Sequence, residues 1–155
     1  MKATVHDWAG RENGKPYRIL TIPEKFSLHE LAEAVLDSFH FDFDHTFGFY
    51  GNLEEYRDSE DGYELFYDIG EATKFSGVKR TMVNKVFKEI GKKMLLVYDY
   101  GSEWKFIVKL RDIEFPSFQE KHPKVIESTG SAPVQYGYPK DQFSHPDGED
   151  DEGKN

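Results

Sequence analysis

The sequence predicts an α+β protein: a mostly antiparallel sheet with two main helices packed on one face, in a single domain. Three observations carry that expectation. Strand-like runs come in pairs joined by turn residues, helix-like runs stand apart from them, and the strand–helix–strand alternation of a doubly wound fold is missing. With 155 residues the chain has the size of one domain. Residues 1–143 are assigned to that domain, and residues 144–155 to an acidic, disordered tail.

The elements follow in order. Val5 to Trp8 and Tyr17 to Ile22 flank Asn13-Gly14, a pair that accepts the positive φ values of a tight hairpin turn, so an opening hairpin is expected. Ser27 and Glu30 have the spacing of a capping box, and Phe26 with Leu31 can close a hydrophobic staple around it. From there Leu28, Leu31, Ala32, Val35, Leu36 and Phe39 recur on one helical face, which predicts a helix over residues 28–40. A strand is expected near Phe47, then a turn at Asp61-Gly62 ahead of the apolar run Tyr63 to Tyr67. A second helix fits residues 82–90, with Thr81 as cap, Met82, Val83, Val86, Phe87 and Ile90 on one face, and Gly91 just past its end.

The strongest β signal is the pair Met94 to Tyr100 and Trp104 to Leu110. With Gly101-Ser102 at the centre of a type II′ turn, Tyr100 faces Glu103 and Asp99 faces Trp104. Val97 then pairs with Phe106, and Leu95 with Val108. After Arg111 the prolines Pro116, Pro123, Pro133 and Pro139 predict a winding path with one short strand near Val125.

Composition excludes several classes of function. No apolar run approaches the roughly 18–20 residues of a membrane span, and the opening residues lack the apolar stretch of a secretory signal. The sequence has no cysteine, which removes disulfides, thiolate nucleophiles and cysteine zinc sites and fits a cytoplasmic location. Formal charge is −9, partly from Asp147, Glu149, Asp150, Asp151 and Glu152 in the tail. Lys and Arg form no cluster able to release many phosphate counterions, which disfavours nucleic acid as a partner. Aromatic residues reach 15%, enough for large rings to build much of the core.

The candidate chemistry is sparse. On the expected register Asp99 is a carboxylate on an apolar face, where it needs a partner. Either it acts as a general base or metal ligand over a pocket, or it caps the turn amides or accepts the Trp104 indole N–H. Asp42-Phe43-Asp44-His45 offers divalent-cation ligand types, but no glycine occupies the sixth position of a calcium loop counted from Asp42 or Asp44. There is no zinc-protease helix, nucleophile elbow or phosphate loop, and no cofactor is expected.

Several matches add up to a resemblance. Tyr17-Arg18 before a strand, Leu28 and Leu31 in the capped helix, Phe39 to Asp42, His45 with Phe49, and Tyr98-Asp99-Tyr100-Gly101 with Trp104 resemble the plasmid pRiA4b ORF-3-like family, over about residues 15–137. The chain departs from the family pattern where Ala32 replaces a helix histidine, His40-Phe41 replaces Gly-Trp, Ser102 replaces an aspartate and Phe106 replaces a histidine. The family's Pro-Pro-Glu-Asp-Gly-Gly stretch is reduced to Ala132 through Gly137. The resemblance implies an α+β domain often encoded on mobile elements, and the lost histidines and acids favour a fold retained for binding.

The function expected is a binding or interaction module for a protein or small polar ligand, with Arg18, Tyr98, Asp99, Tyr100 and Trp104 lining the site. Arg18 would hold an anionic group or pair with Asp99. The alternative is a metal-dependent hydrolase or transferase using Asp42, His45 and Asp99, whose ligand atoms would then lie within a few Å of one another.

Overall fold

Among the described residues, seven strands pair in the order β4-β3-β5-β6-β1-β2-β7, every neighbour antiparallel. They are β1 (Lys2–Val5), β2 (Tyr17–Thr21), β3 (Phe47–Tyr50), β4 (Gly62–Glu64), β5 (Lys93–Tyr98), β6 (Trp104–Asp112) and β7 (Lys124–Thr129). The α-helices among the described residues are α1 (Leu28–Ser38) and two single turns, α2 (Leu65–Asp68) and α3 (Val83–Val86). This α+β architecture comes from a computed structural model that describes residues 2–5, 16–23, 25–113, 121–133 and 135. The Asn13-Gly14 turn and the acidic tail lie outside the described residues.

The pairing expected of an opening hairpin is present, with Val5 opposite Arg18 and Lys2 opposite Thr21, but its first strand is Lys2–Val5 where the sequence predicts Val5 to Trp8, and residues 6–8 lie outside the described residues. The capping box forms as well: the Ser27 hydroxyl accepts the Glu30 N–H at 3.1 Å, and the Glu30 carboxylate accepts the Ser27 N–H at 2.9 Å. Leu28, Leu31, Val35 and Leu36 of α1 are buried against Phe47, Phe49, Met94, Leu96, Phe106 and Val108 of the sheet. Val83 and Val86 of α3 join the same core, so the helices the sequence predicted do share one face.

The second helix is much shorter than residues 82–90. Met82 is extended (ψ 146°) because it bridges to Ser27, while the Val83 N–H reaches the Phe26 carbonyl at 2.8 Å. Thr81 does not cap it; its hydroxyl donates to the Gly77 carbonyl at 2.7 Å. Phe87 turns out of helical geometry (ψ 80°) and buries its ring.

The β5–β6 register also differs from the expected one. Tyr98 faces Trp104, Val97 faces Lys105, Leu96 faces Phe106 and Met94 faces Val108. The connection is a five-residue loop, Asp99 to Glu103, with positive φ at both ends (62° and 53°). The Asp99 carbonyl accepts the Ser102 and Glu103 N–H groups at 3.0 and 2.6 Å, so the closing bond spans one residue more than that of a type II′ turn and the register slips by one. A one-residue slip exchanges the faces of every side chain on a strand. Leu95, Val97 and Ile107 therefore lie opposite to Leu96, Tyr98, Phe106 and Val108.

Candidate functional site

Strand alternation divides the sheet chemistry between two faces. On the α1 face the Tyr98 hydroxyl ties down the segment before β3. It donates to the Asp42 carbonyl at 2.5 Å and accepts the Asp44 and His45 N–H groups at 2.6 and 3.1 Å. Burial pushes its pKa up to about 12, against the pull of those two backbone donors. Asp99 leaves the strand in the left-handed region and turns toward His45, its carboxylate 3.6 Å from the imidazole Nε2. Its capping of the turn amides is slight, a 3.4 Å approach from the Ser102 N–H. Trp104, opposite Tyr98, packs edge-on to Phe41 at 5.0 Å.

Arg18 is placed away from Asp99. Its Nε donates to the Ser38 carbonyl at the end of α1 (3.0 Å), and one terminal nitrogen donates to the carbonyls of Tyr17, Thr129 and Gly130 at 2.8, 3.1 and 3.1 Å. The guanidinium lies 4.5 Å from the Phe39 ring centre, and burial lowers its pKa. A cation at a helix C-terminus answers the negative end of the dipole, so Arg18 clamps α1 to β2 and β7.

The opposite face carries the more concentrated polar chemistry. β3 delivers Tyr50 there, and the loop after Asp99 delivers Tyr100 to the same side. Their hydroxyls meet at 2.6 Å above Gly48, where a Cβ would stand 2.7 Å from each. Glycine is thus required in the middle of β3 for the hydroxyls to approach the backbone. Tyr50 donates onward to the Glu64 carboxylate, which also accepts from Thr73. Phe66 stacks on Tyr100 at 5.1 Å, and Phe75 stands edge-on to Tyr50 at 5.8 Å. Tyr56 donates to Glu103 at 2.8 Å, and Arg57 reaches the same oxygen at 3.1 Å while lying over the Tyr56 ring.

These groups enclose an open groove of about 450 Å³, within the usual range of small-ligand sites. Burial raises the pKa of Tyr50, with proximity to Tyr100 and the bond to Glu64 adding to it. Burial raises Tyr100 too, and the nearby Glu64 charge adds to it. Tyr56 is pushed up to about 12 by burial and then by its bond to Glu103. That bond is also the largest cause holding the Glu103 carboxyl below its ordinary value, with Lys105 and Arg57 contributing. The groove therefore holds its phenols protonated and hydrogen-bonded across the neutral range.

Of the five residues named from sequence, Tyr100 alone lines this groove. Tyr98, Asp99 and Trp104 cluster around the other side of the hairpin end, and Arg18 is separate from both groups. Of the three proposed metal ligands, His45 and Asp99 come together, whereas Asp42 is held through its backbone by Tyr98 and Gln135. Among the described residues no three His, Asp or Glu side chains gather as a metal ion would require. The sequence reading missed Tyr50, Glu64 and Thr73; the signal was Gly48 inside an aromatic strand.

Fold and site together define an α+β protein with an aromatic groove on the sheet face opposite its main helix. The chain belongs to the plasmid pRiA4b ORF-3-like protein family, whose model matches residues 11–136. It is similar to the crystal structure of a protein of unknown function from Methanosarcina mazei Go1, with a TM-score of 0.65 and 17% identity, over 86% of this chain and 70% of that one. At that identity the likeness shows the fold. No curated protein matches the chain. Among the described residues no helix is long and apolar enough to cross a membrane.

Proposed function

We propose that this protein is a binding module for a small polar ligand, taken up in the groove between Tyr50, Tyr56, Glu64 and Tyr100. One observation supports this above the others: Tyr50, Tyr100 and Glu64 are hydrogen-bonded to one another and Tyr56 is fixed by Glu103, yet all four lining side chains border an open groove of about 450 Å³. A network serving the core alone would be closed over, because polar groups in an apolar interior are costly. Aromatic walls with a few fixed polar groups are the usual make-up of a small-molecule site. In this reading Tyr98 and Asp99 set the loop that presents Tyr100, and Arg18 holds the sheet edge to α1.

The test is a thermal-unfolding screen of polar compounds of each charge class, since a ligand that binds the native state raises the midpoint by mass action. Ala72 lies on the groove wall and is exposed, so Ala72→Trp is expected to fill the space while leaving every hydrogen-bonding residue of the tyrosine network in place. Midpoint rises that vanish in this variant support the reading; rises that persist in it, or none with any compound, refute it.

The metal-dependent hydrolase or transferase reading has a single supporting observation, the 3.6 Å approach of His45 to Asp99. A midpoint rise with zinc or manganese that is lost in His45→Ala would favour it over the groove.

A further inference from the structure

The hydrogen-bond accounting of the groove constrains what can occupy it. Tyr50 has one proton and gives it to Glu64, so in the 2.6 Å contact with Tyr100 it is Tyr100 that donates. Tyr56 gives its proton to Glu103. Thr73 gives its own to Glu64 and accepts the Phe75 N–H at 3.1 Å. What remains on the hydroxyls and the carboxylate of the groove is acceptor capacity: lone pairs on Tyr56 and Tyr100 and the unused sites of Glu64, beside the ring faces. A group completing that wall has to bring donors, and a carboxylate among aromatic faces suits an ammonium.

Charge balance supplies the other half. Arg57 and Lys105 sit 3.1 and 3.9 Å from Glu103. Lys74 instead lies 5.1 Å over the Phe75 ring on the groove wall, and among the described residues no carboxylate forms an ion pair with it. Glu64 has hydroxyl partners and, among the described residues, no cation. The groove lining thus carries one carboxylate, Glu64, against two cations, Arg57, which is already paired with Glu103, and Lys74, which among the described residues is not paired. A ligand that is only cationic meets Lys74, and one that is only anionic meets Glu64.

From these two observations, and resting on the ligand-groove reading above, we infer that the groove takes a small zwitterion of the amino-acid class. Its ammonium is directed to Glu64 and Tyr100, and its carboxylate to Lys74.

Isothermal titration of the full chain with three matched probes tests this: 4-aminobutanoate, butylammonium and butanoate. The zwitterion is expected to bind, with each singly charged probe about tenfold weaker or worse, a difference equal to about 1.4 kcal/mol. Glu64→Gln, which keeps an acceptor for Tyr50, is expected to weaken 4-aminobutanoate about tenfold and leave butanoate no weaker. Lys74→Met is expected to weaken 4-aminobutanoate and leave butylammonium no weaker. A singly charged probe binding as tightly as the zwitterion, zwitterion binding indifferent to both substitutions, or no binding of 4-aminobutanoate overturns the assignment. The groove reading then stands if other polar compounds still give midpoint rises that Ala72→Trp abolishes, and falls with it if none does.

Discussion

Gly48→Ala is the sharpest probe of the tyrosine network, because it adds one methyl group at the point where the network is tightest. Its Cβ would lie 2.7 Å from the Tyr50 hydroxyl, 2.7 Å from the Tyr100 hydroxyl and 2.9 Å from Tyr50 Cζ, all inside the 3.4 Å at which ordinary contact begins. Tyr50 is 1% exposed and held between Tyr56 and Phe75, so it cannot step aside. Tyr100 can, at the loss of its bond to Tyr50 and of its stacking on Phe66. Overpacking costs about 1–3 kcal/mol and a lost hydrogen bond about 0.5–1.5 kcal/mol, so a destabilisation of about 2–4 kcal/mol is expected. Urea denaturation followed by circular dichroism measures it as a lower midpoint at unchanged slope. Tyr100→Phe alone should cost only the hydrogen bond. In the double variant, with one hydroxyl gone from the methyl's path, the loss should fall short of the sum by about 0.5 kcal/mol or more. A Gly48→Ala protein within about 0.5 kcal/mol of the parent, or strict additivity with Tyr100→Phe, would refute the proposed crowding.

Arg18→Met should cost about 1–3 kcal/mol in the same assay, because it leaves the buried Ser38 carbonyl without its donor and removes the bonds to Thr129 and Gly130 at the sheet edge; Arg18→Lys should recover less than half, since an ammonium cannot span that fork. Ser27→Ala should cost about 1 kcal/mol by opening the capping box of α1, and a loss below about 0.3 kcal/mol would contradict its role. Tyr50, Tyr56, Tyr63, Tyr98 and Tyr100 all ionise above the ordinary tyrosine value of 10.0 in the folded chain. The unfolded chain releases those protons first, so their contribution to stability is complete below pH 10 and is lost as pH rises through the folded values. Alkaline melts should therefore show stability falling between about pH 10 and 12, with phenolate absorbance of the native protein lagging that of the unfolded one; all tyrosines titrating together near 10 while folded would overturn this.

Local signals were readable where the physics is local. α1 was legible because its cap, its staple and its apolar stripe lie within a dozen consecutive residues. Both strands of the β5–β6 hairpin were legible from their β-branched and aromatic runs, yet their register was not. Asp99 and Glu103 adopt positive φ, and nothing in the residues announces that two non-glycine positions share one loop. Because the register slipped by one, Asp99 was assigned to an apolar face that belongs to Tyr98. The second helix looked longer than it is because its apolar spacing is genuine. Backbone pairing with Phe26 and Ser27, a tertiary effect, keeps Met82 extended. The groove was the least legible feature, since Tyr50, Glu64 and Tyr100 meet only after β3, β4 and the hairpin loop are in place. Gly48 was its one trace in the sequence, a glycine inside a strand of aromatics, which signals a close approach.

Amide chemical-shift mapping by nuclear magnetic resonance, during titration with whichever polar compound gives the largest midpoint rise, bears most directly on where this protein binds. The account predicts perturbations centred on Tyr50, Tyr56, Glu64 and Tyr100, falling away toward α1. Perturbations centred instead on Asp42, His45 and Asp99, with the tyrosine groove unmoved, would contradict it.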